Sequence, residues 1–564
     1  MNVVSVSEKW PRQTFFVLVA FFFLLLLVGS QASDRTLELL KNTTLLIVAV
    51  LGISLPVGIF LAATLFHPKT YGRKFLLLGF AALLVVPLYL QVAGWNTILA
   101  TYGWYHKSTL ALLIPLPFLE GWLGTVWVHS LHAIGWNLFF IGWFYHHLPG
   151  RLEEQALLEV PPHVVFWKVT LPQLRIPIVA ASLWNGLILF TEISVTDLYQ
   201  VNTYAREIYV GFALGENIEL YQWQTVADGG IVLLGSVLGA IFLRQLFIVD
   251  PKETPLLLSK AGFRKSRTSE GSWVNRVFGH LRFHWRALLC WFAFCIMFVL
   301  PMCSLAYHGG IVVILGEEQK PLRFWGFTRL MENMWNVLFL FRMQFFWSFL
   351  VSAVSSFLAV SVGALLGWVA VHAKGKRLFW APWIIWGTLA FLLSIPGPLL
   401  GLGTIDFFNR WALLIPALGY FYDYTIVPLV LVSFLKSLPI SYLICWYRFR
   451  MLPVATLEAA KLDGLGVVAT FWHLGVRQSI GAIVLTWGVA YWLAWSELTT
   501  SILVAPPGIE TLPIRIFGLL HSGADDQVAA VCLWVVVIAL VALGFGYLIS
   551  GGGRKKWQTG YGRR

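Results

Sequence analysis

The chain has 564 residues, 58% of them apolar and only 12% charged, with a mean hydropathy of +0.75. Soluble globular chains carry about a quarter of their residues charged, so the composition excludes a string of soluble domains and describes an integral membrane protein. Forty Lys and Arg against 27 Asp and Glu give a net charge of +13; in such a protein this balance reports sidedness, not nucleic-acid binding.

A helix needs roughly 20 apolar residues to cross a hydrocarbon core of about 30 Å with its backbone groups bonded internally. Twelve stretches are predicted to do so: 14–30, 43–66, 75–94, 122–145, 176–196, 226–248, 286–307, 345–371, 379–402, 424–447, 478–500 and 527–550. Several contain proline (Pro56, Pro87, Pro396, Pro439), which membrane helices tolerate. The first stretch, with Lys9 and Arg12 before it and Ser30-Gln31-Ala32 after it, also fits a signal peptide. The second half opens on an equivalent stretch at 286–307, which argues for a retained span. That stretch holds Cys290, Cys295 and Cys303 without disulfide or zinc-ligand spacing.

With the N-terminus inside, the inner segments (1–13, 67–74, 147–175, 249–286, 372–378, 448–477 and 551–564) hold 28 of the 40 basic residues. Both termini are therefore expected in the cytoplasm. The loop 308–343, with Lys320, Arg323, Arg329 and Arg342, runs against the bias.

The chain also repeats itself. Leu148-Pro149 with Glu154 recurs as Leu452-Pro453 with Glu458, an offset of 304. Phe166-Trp167 recurs as Phe471-Trp472, and Thr191-Glu192-Ile193-Ser194 as Ser496-Glu497-Leu498-Thr499, both at 305. The run from Ala111 to Pro115 returns at Ala412 to Pro416. Six spans per copy make the copies parallel in the membrane. The expected organisation is a first domain over 1–248, a basic cytoplasmic linker over 249–285, and a second domain over 286–564.

The loop after the fourth span of each half, 148–172 and 452–477, reads as an amphipathic helix, a turn and an aromatic second helix. Its small residues (Ala156, Ala459, Ala460) admit a close partner surface, and its glutamates (Glu154, Glu458) supply fixed charge. A helix of this kind at a membrane face suits docking into a groove on a soluble partner.

These segments resemble the Glu-Ala-Ala loop of binding-protein-dependent ABC transporter permeases. The second copy keeps Glu458, Ala459, Ala460 and Gly464 but ends Leu474-Gly475-Val476-Arg477, without the terminal proline. The first keeps Leu171 and Pro172 but reads Glu154-Gln155-Ala156, has Val160 in place of the glycine, and is one residue shorter. The resemblance implies an all-α fold of two tandem six-helix permease domains, type I-like, in the cell inner membrane. It implies no catalytic residues in this chain. Two nucleotide-binding ATPase subunits would dock on the cytoplasmic face, and an extracytoplasmic solute-binding protein would deliver the solute. The chain contains no Gly-x-x-x-x-Gly-Lys-Ser/Thr phosphate loop, so ATP would be used by the partner, with no cofactor held here. Two fused permease domains look most like ferric-iron and thiamine permeases, and the segment Glu497–Leu512 is similar to one in the iron-type branch. Ferric iron is the first substrate expectation, thiamine or another small organic cation the second.

Ionisable groups inside spans are candidate functional residues, because hydrocarbon penalises them. Glu192 and Glu497 fall at matching positions near the outer ends of the fifth spans and are expected at the pathway or its outer gate. Lys436 lies mid-span beside Pro439 and is expected to pair with a carboxylate or with the carbonyl that Pro439 frees. His129 and His132 stand one turn apart without a third ligand, and no metal site is assigned. A twelve-helix ion-coupled secondary transporter is the rival reading; it calls for charges deep in many spans, and only Lys436 and the histidines answer.

Overall fold

The computed structural model describes residues 34–66, 70–101, 103–108, 110–113, 115–147, 150–213, 287–315, 321–372, 381–523 and 525–560. The expected spans 14–30 and 226–248 and the linker 249–285 lie outside the described residues, as do Leu148 and Pro149.

Four described helices are long and apolar enough to cross a membrane: Asp34–Leu65, Ala287–Gly309, Arg342–His372 and Val427–Arg450. Three bent pairs bring the number to seven. Gly121–His147, Arg477–Trp495 and Asp525–Gly560 occupy three further expected spans. Among the described residues the architecture is all-helical apart from a hairpin that the sequence did not announce, in the loop expected at 308–343. There Ile311–Leu315 pairs antiparallel with Pro321–Trp325, Ile311 opposite Trp325.

Two expected spans are not straight. The stretch 75–94 is two helices, Arg73–Val85 and Leu88–Leu99, turned by 101°. The stretch 379–402 is likewise Ala381–Ser394 and Gly397–Ala412, turned by 110°. Pro87 and Pro396 stand at the breaks with extended backbones (φ −56°, ψ 151° and φ −55°, ψ 141°). Proline lacks the N–H that would continue the ladder and crowds the preceding turn, so each half breaks one expected span at a proline.

The long helices pack in repeated pairs, Asp34–Leu65 on Gly121–His147 and Arg342–His372 on Val427–Arg450. Glycine permits the closest approach in both. Gly58 lies against Asn137, and a Cβ on Gly363 would sit 2.8 Å from the Tyr442 amide and 3.1 Å from the Ser441 side chain. Gly58 and Gly363 are 305 apart, Asn137 and Ser441 304 apart. Small residues at such contacts let backbones approach where no hydrophobic force between helices operates.

The two halves interlock. Cys290, Phe294 and Met297 of Ala287–Gly309 share a core with Leu76, Phe80 and Leu83 of the first broken span. Val86, Tyr89, Leu90 and Ala93, on the far side of that break, pack with Trp495, Leu512, Ile516 and Val528 of the second half. The Trp492 indole N–H donates to the Val85 carbonyl (2.5 Å), one residue before the extended backbone.

Candidate coupling segments and intramembrane polar sites

Each expected docking loop folds as an exposed helix followed by a bent, wider-wound segment leading into the next long helix. In the first half these are Gly150–Glu159 and the π-helical turn Phe166–Thr170; in the second, Val454–Leu462 and Phe471–Val476. Glu154, Glu458 and Ala459 are exposed, Ala156 is half-buried and Ala460 buried. Leu171 is half-buried and Pro172 exposed. Both loops present large apolar side chains outward: Leu158 and Trp167 in one, Leu462, Val468 and Trp472 in the other.

The ends of the two exposed helices differ for a local reason. Gly464 adopts φ +74°, and the next amide, Leu465, donates back to the Ala460 carbonyl (3.0 Å). That closure needs a left-handed residue, which glycine supplies without a Cβ clash. Val160 cannot do this cheaply. The first loop instead ends on a helical bond from the Val160 amide to Ala156 (3.0 Å) and turns through Pro161-Pro162.

The second loop is anchored to the membrane helices through an aromatic cluster. Trp368 meets Phe449 and Phe471 at ring distances of 5.4 and 5.5 Å. Gly475 admits the Trp368 ring, which a Cβ there would meet at 2.8 Å. Phe471 is thereby packed directly against the helix Arg342–His372.

Glu192 and Glu497 both turn back onto the chain that follows them. The Glu192 carboxylate accepts from the amides of Ser194 (2.5 Å) and Val195 (3.2 Å) and from the Ser194 hydroxyl. Glu497 accepts from the Thr500 amide (3.0 Å) and the hydroxyls of Thr499 and Thr500 (2.7 and 2.9 Å). Glu192 thereby caps the first turn of the short helix Ser194–Leu198, and Glu497 holds the turn that leads into Ser501–Val504. Glu192 is buried, and His129 Nε2 lies 3.5 Å from it.

Lys436 does not use the carbonyl that Pro439 frees. Its ammonium donates to the Ile395 carbonyl (3.2 Å), at the end of the first segment of the second broken span, and not to a carboxylate. The first half meets the same need without a charge. Gln91 Nε2 donates to the carbonyls of Leu83 (3.2 Å) and Val86 (3.0 Å), and it lies 3.1 Å from His132 Nδ1. His132 and Lys436 are 304 apart, the offset of the repeat. The two histidines thus go separate ways, His129 to Glu192 and His132 to Gln91 and Trp136.

Sequence reasoning missed Gln91, Pro87 and Pro396 as parts of this arrangement. It also missed a second duplicated contact. The Thr43 hydroxyl accepts from the Tyr204 amide (3.0 Å), and the Ser348 hydroxyl from the Leu512 amide (2.7 Å). Both anchor the short helices beyond the fifth spans, Tyr204–Ala213 and Leu512–Ser522. Thr43 and Ser348 are 305 apart, a signal the sequence did carry.

One ion pair among the described residues joins the halves beyond the ends of the fifth spans. His521 Nε2 lies 3.3 Å from Asp197, and its Nδ1 lies 2.9 Å from the Phe517 carbonyl. A ring donating at both nitrogens is the protonated one. The hydrogen bond to Asp197 raises the His521 pKa, with burial opposing. Burial pushes the Asp197 carboxyl up, but His521 and Arg206 (2.9 Å) outweigh it and leave it low.

No known family pattern matches the chain. Over 516 residues, 90% of this chain and 88% of the relative, it is 22% identical to a Fe(3+)-transport system permease protein (FbpB 2) of Haemophilus influenzae. Over 199 residues it is 22% identical to a spermidine/putrescine transport system permease protein (PotC) of the same organism. That match covers 74% of the relative but 35% of this chain. These similarities support a permease role, in keeping with the apolar helices, and both relatives are transport proteins, not enzymes.

Proposed function

We propose that the chain is the membrane-spanning subunit of an ATP-driven importer, with two six-helix permease units fused in tandem and about twelve spans in all. The observation that carries this reading is the duplicated exposed segment, helix, turn and π-helical Phe-Trp, at an offset of 305. A lone segment of this kind is an interfacial helix; two at equivalent places suit a two-fold soluble partner. Glu154, Ala156, Leu171 and Pro172 on one side and Glu458, Ala459 and Gly464 on the other form its docking surface, with Ala460 packed beneath it. ATPase subunits dock there from the cytoplasm, and a solute-binding protein loads the opposite face. The match to a permease that spans only about a third of this chain accords with two units in one polypeptide.

The substrate reading is ferric iron, supported by the near full-length similarity to an iron-transport permease. A small organic cation is the second reading, favoured by the similarity to a polyamine permease. Glu192, Glu497 and Lys436 are the pathway candidates, acting through the geometry of the helix breaks and caps. In a strain lacking the chain, labelled iron uptake is expected to return with the wild type and to fail with Glu458→Lys, while Glu458→Lys still reaches the membrane. Uptake of labelled spermidine or thiamine in place of iron would select the second reading; uptake driven by a proton gradient without ATP would refute the importer.

A further inference from the structure

With 14–30 as the expected first span, the second half carries a segment for which the first half has no room. In the register of Thr43 and Ser348, Arg342 aligns with Leu37, leaving no room between the stretches 14–30 and 43–66 for a counterpart of residues 311–340. This insertion is the hairpin followed by the helix Phe327–Leu340.

That helix has three faces. At 100° per residue, Leu330, Asn333, Met334 and Val337 form one sector, packed on the protein. Leu330 and Val337 are buried, the Asn333 amide donates to the Gly309 carbonyl (2.7 Å), and the Trp534 indole donates to the Met334 carbonyl (2.8 Å). Phe327, Met331, Trp335 and Phe339 form the second sector; they are 61, 41, 61 and 57% exposed. Arg329, Glu332 and Asn336 form the third, also exposed, with Arg329 and Glu332 3.9 Å apart.

We propose that this helix lies along the water–lipid boundary, with its Phe327–Met331–Trp335–Phe339 face seated among phospholipid headgroups and upper acyl chains. Wholly in hydrocarbon, the Arg329–Glu332 sector would be penalised; wholly in water, four large apolar side chains would be uncovered. Both sectors run along the helix, so the boundary must follow its axis. Lipid is favoured over a protein partner by continuity. The exposed apolar series resumes at Met343, Phe346 and Phe349 on the spanning helix Arg342–His372, one residue beyond the helix end, and reaches Phe357. Trp335 is the residue type that settles at headgroup level. The inserted helix thereby holds the outer ends of Ala287–Gly309, Arg342–His372 and Asp525–Gly560 at a fixed depth.

The test uses the full chain with its exposed cysteines Cys295 and Cys303 changed to serine, reconstituted in phosphatidylcholine/phosphatidylglycerol vesicles. Single cysteines replace Met331, Trp335, Glu332 or Asn336 and carry an environment-sensitive fluorophore; these sites are exposed, so each variant is expected to purify as a single species. Lipids spin-labelled near the headgroup should quench the label at 331 and 335 at least about threefold more than at 332 and 336, with aqueous iodide giving the reverse order. Equal quenching at all four sites overturns the proposal. So does protection of 331 and 335 from iodide that appears only when a solute-binding protein is added, which would assign the face to that partner.

Discussion

The two halves solve one problem with different chemistry. Each interrupts one apolar span at a proline and must then satisfy carbonyls that have lost their helical partners. In the first half the uncharged amide of Gln91 takes two of them and rests against His132. In the second, the ammonium of Lys436, at the position equivalent to His132, reaches across to Ile395 and shares the neighbourhood of Glu497. An amide cap is indifferent to its surroundings. An ammonium cap brings a charge to the break. The geometry of the break is therefore repeated while its electrostatics are not.

The largest expected effects come from removing these caps. Gln91→Met and Lys436→Met should each destabilise the purified protein by about 1–3 kcal/mol, the usual cost of an unpaired buried polar group. A double-mutant cycle separates them. Lys436→Met and Glu497→Gln should be non-additive in thermal stability, whereas Gln91→Met and Glu192→Gln should add; equal coupling in both halves would erase the proposed difference. Next comes the turn after the docking helix. Gly464→Val forces a branched residue into a left-handed conformation at roughly 1–2 kcal/mol, and uptake should fall, while Val160→Gly in the first loop should leave uptake near wild type. A loss from Val160→Gly as large as that from Gly464→Val would mean that both loops use the same closure.

The smallest effect concerns the contact between the halves. A histidine whose pKa is raised by folding stabilises fully below its unfolded value of 6.5 and ceases to do so as pH rises through the folded value. Asp197, held low, loses its share only as pH falls through its own depressed pKa. The pair should thus hold at mildly acidic pH and weaken on the alkaline side, by under about 1 kcal/mol because His521 is half-exposed to water. Thermal melts of wild type and His521→Gln should converge above the raised His521 pKa and separate below it. Parallel curves across that range would dismiss the bridge.

Much of this was legible in the residues. The membrane class followed from composition, and the duplicated exposed segments and the matching capping positions of Glu192 and Glu497 followed from the repeat. The helix breaks were not legible, because proline within an apolar stretch reads equally as a tolerated kink; only the backbone at Val86-Pro87 and Ile395-Pro396 shows a turn above 100°. The partner of Lys436 was invisible for another reason. It is a backbone carbonyl 41 residues away, and a carbonyl leaves no mark on side-chain pattern. The inserted hairpin sat in the loop already singled out by its basic residues, but a five-residue strand such as Ile311–Leu315 cannot be told from a short piece of membrane helix by periodicity.

The seating of Ala287–Gly309 against Leu76 and Phe80 also sets an order of assembly. The surface that Cys290 and Phe294 cover is made early and covered late. At about 5–20 residues per second, roughly 10 to 40 seconds of synthesis separate the emergence of the first broken span from that of the helix that closes over it. During that interval the nascent first half presents an unsealed flank to the bilayer and to whatever escorts it. A chain cut within the expected linker 249–285 would leave that flank open on one fragment and its lid stranded on the other.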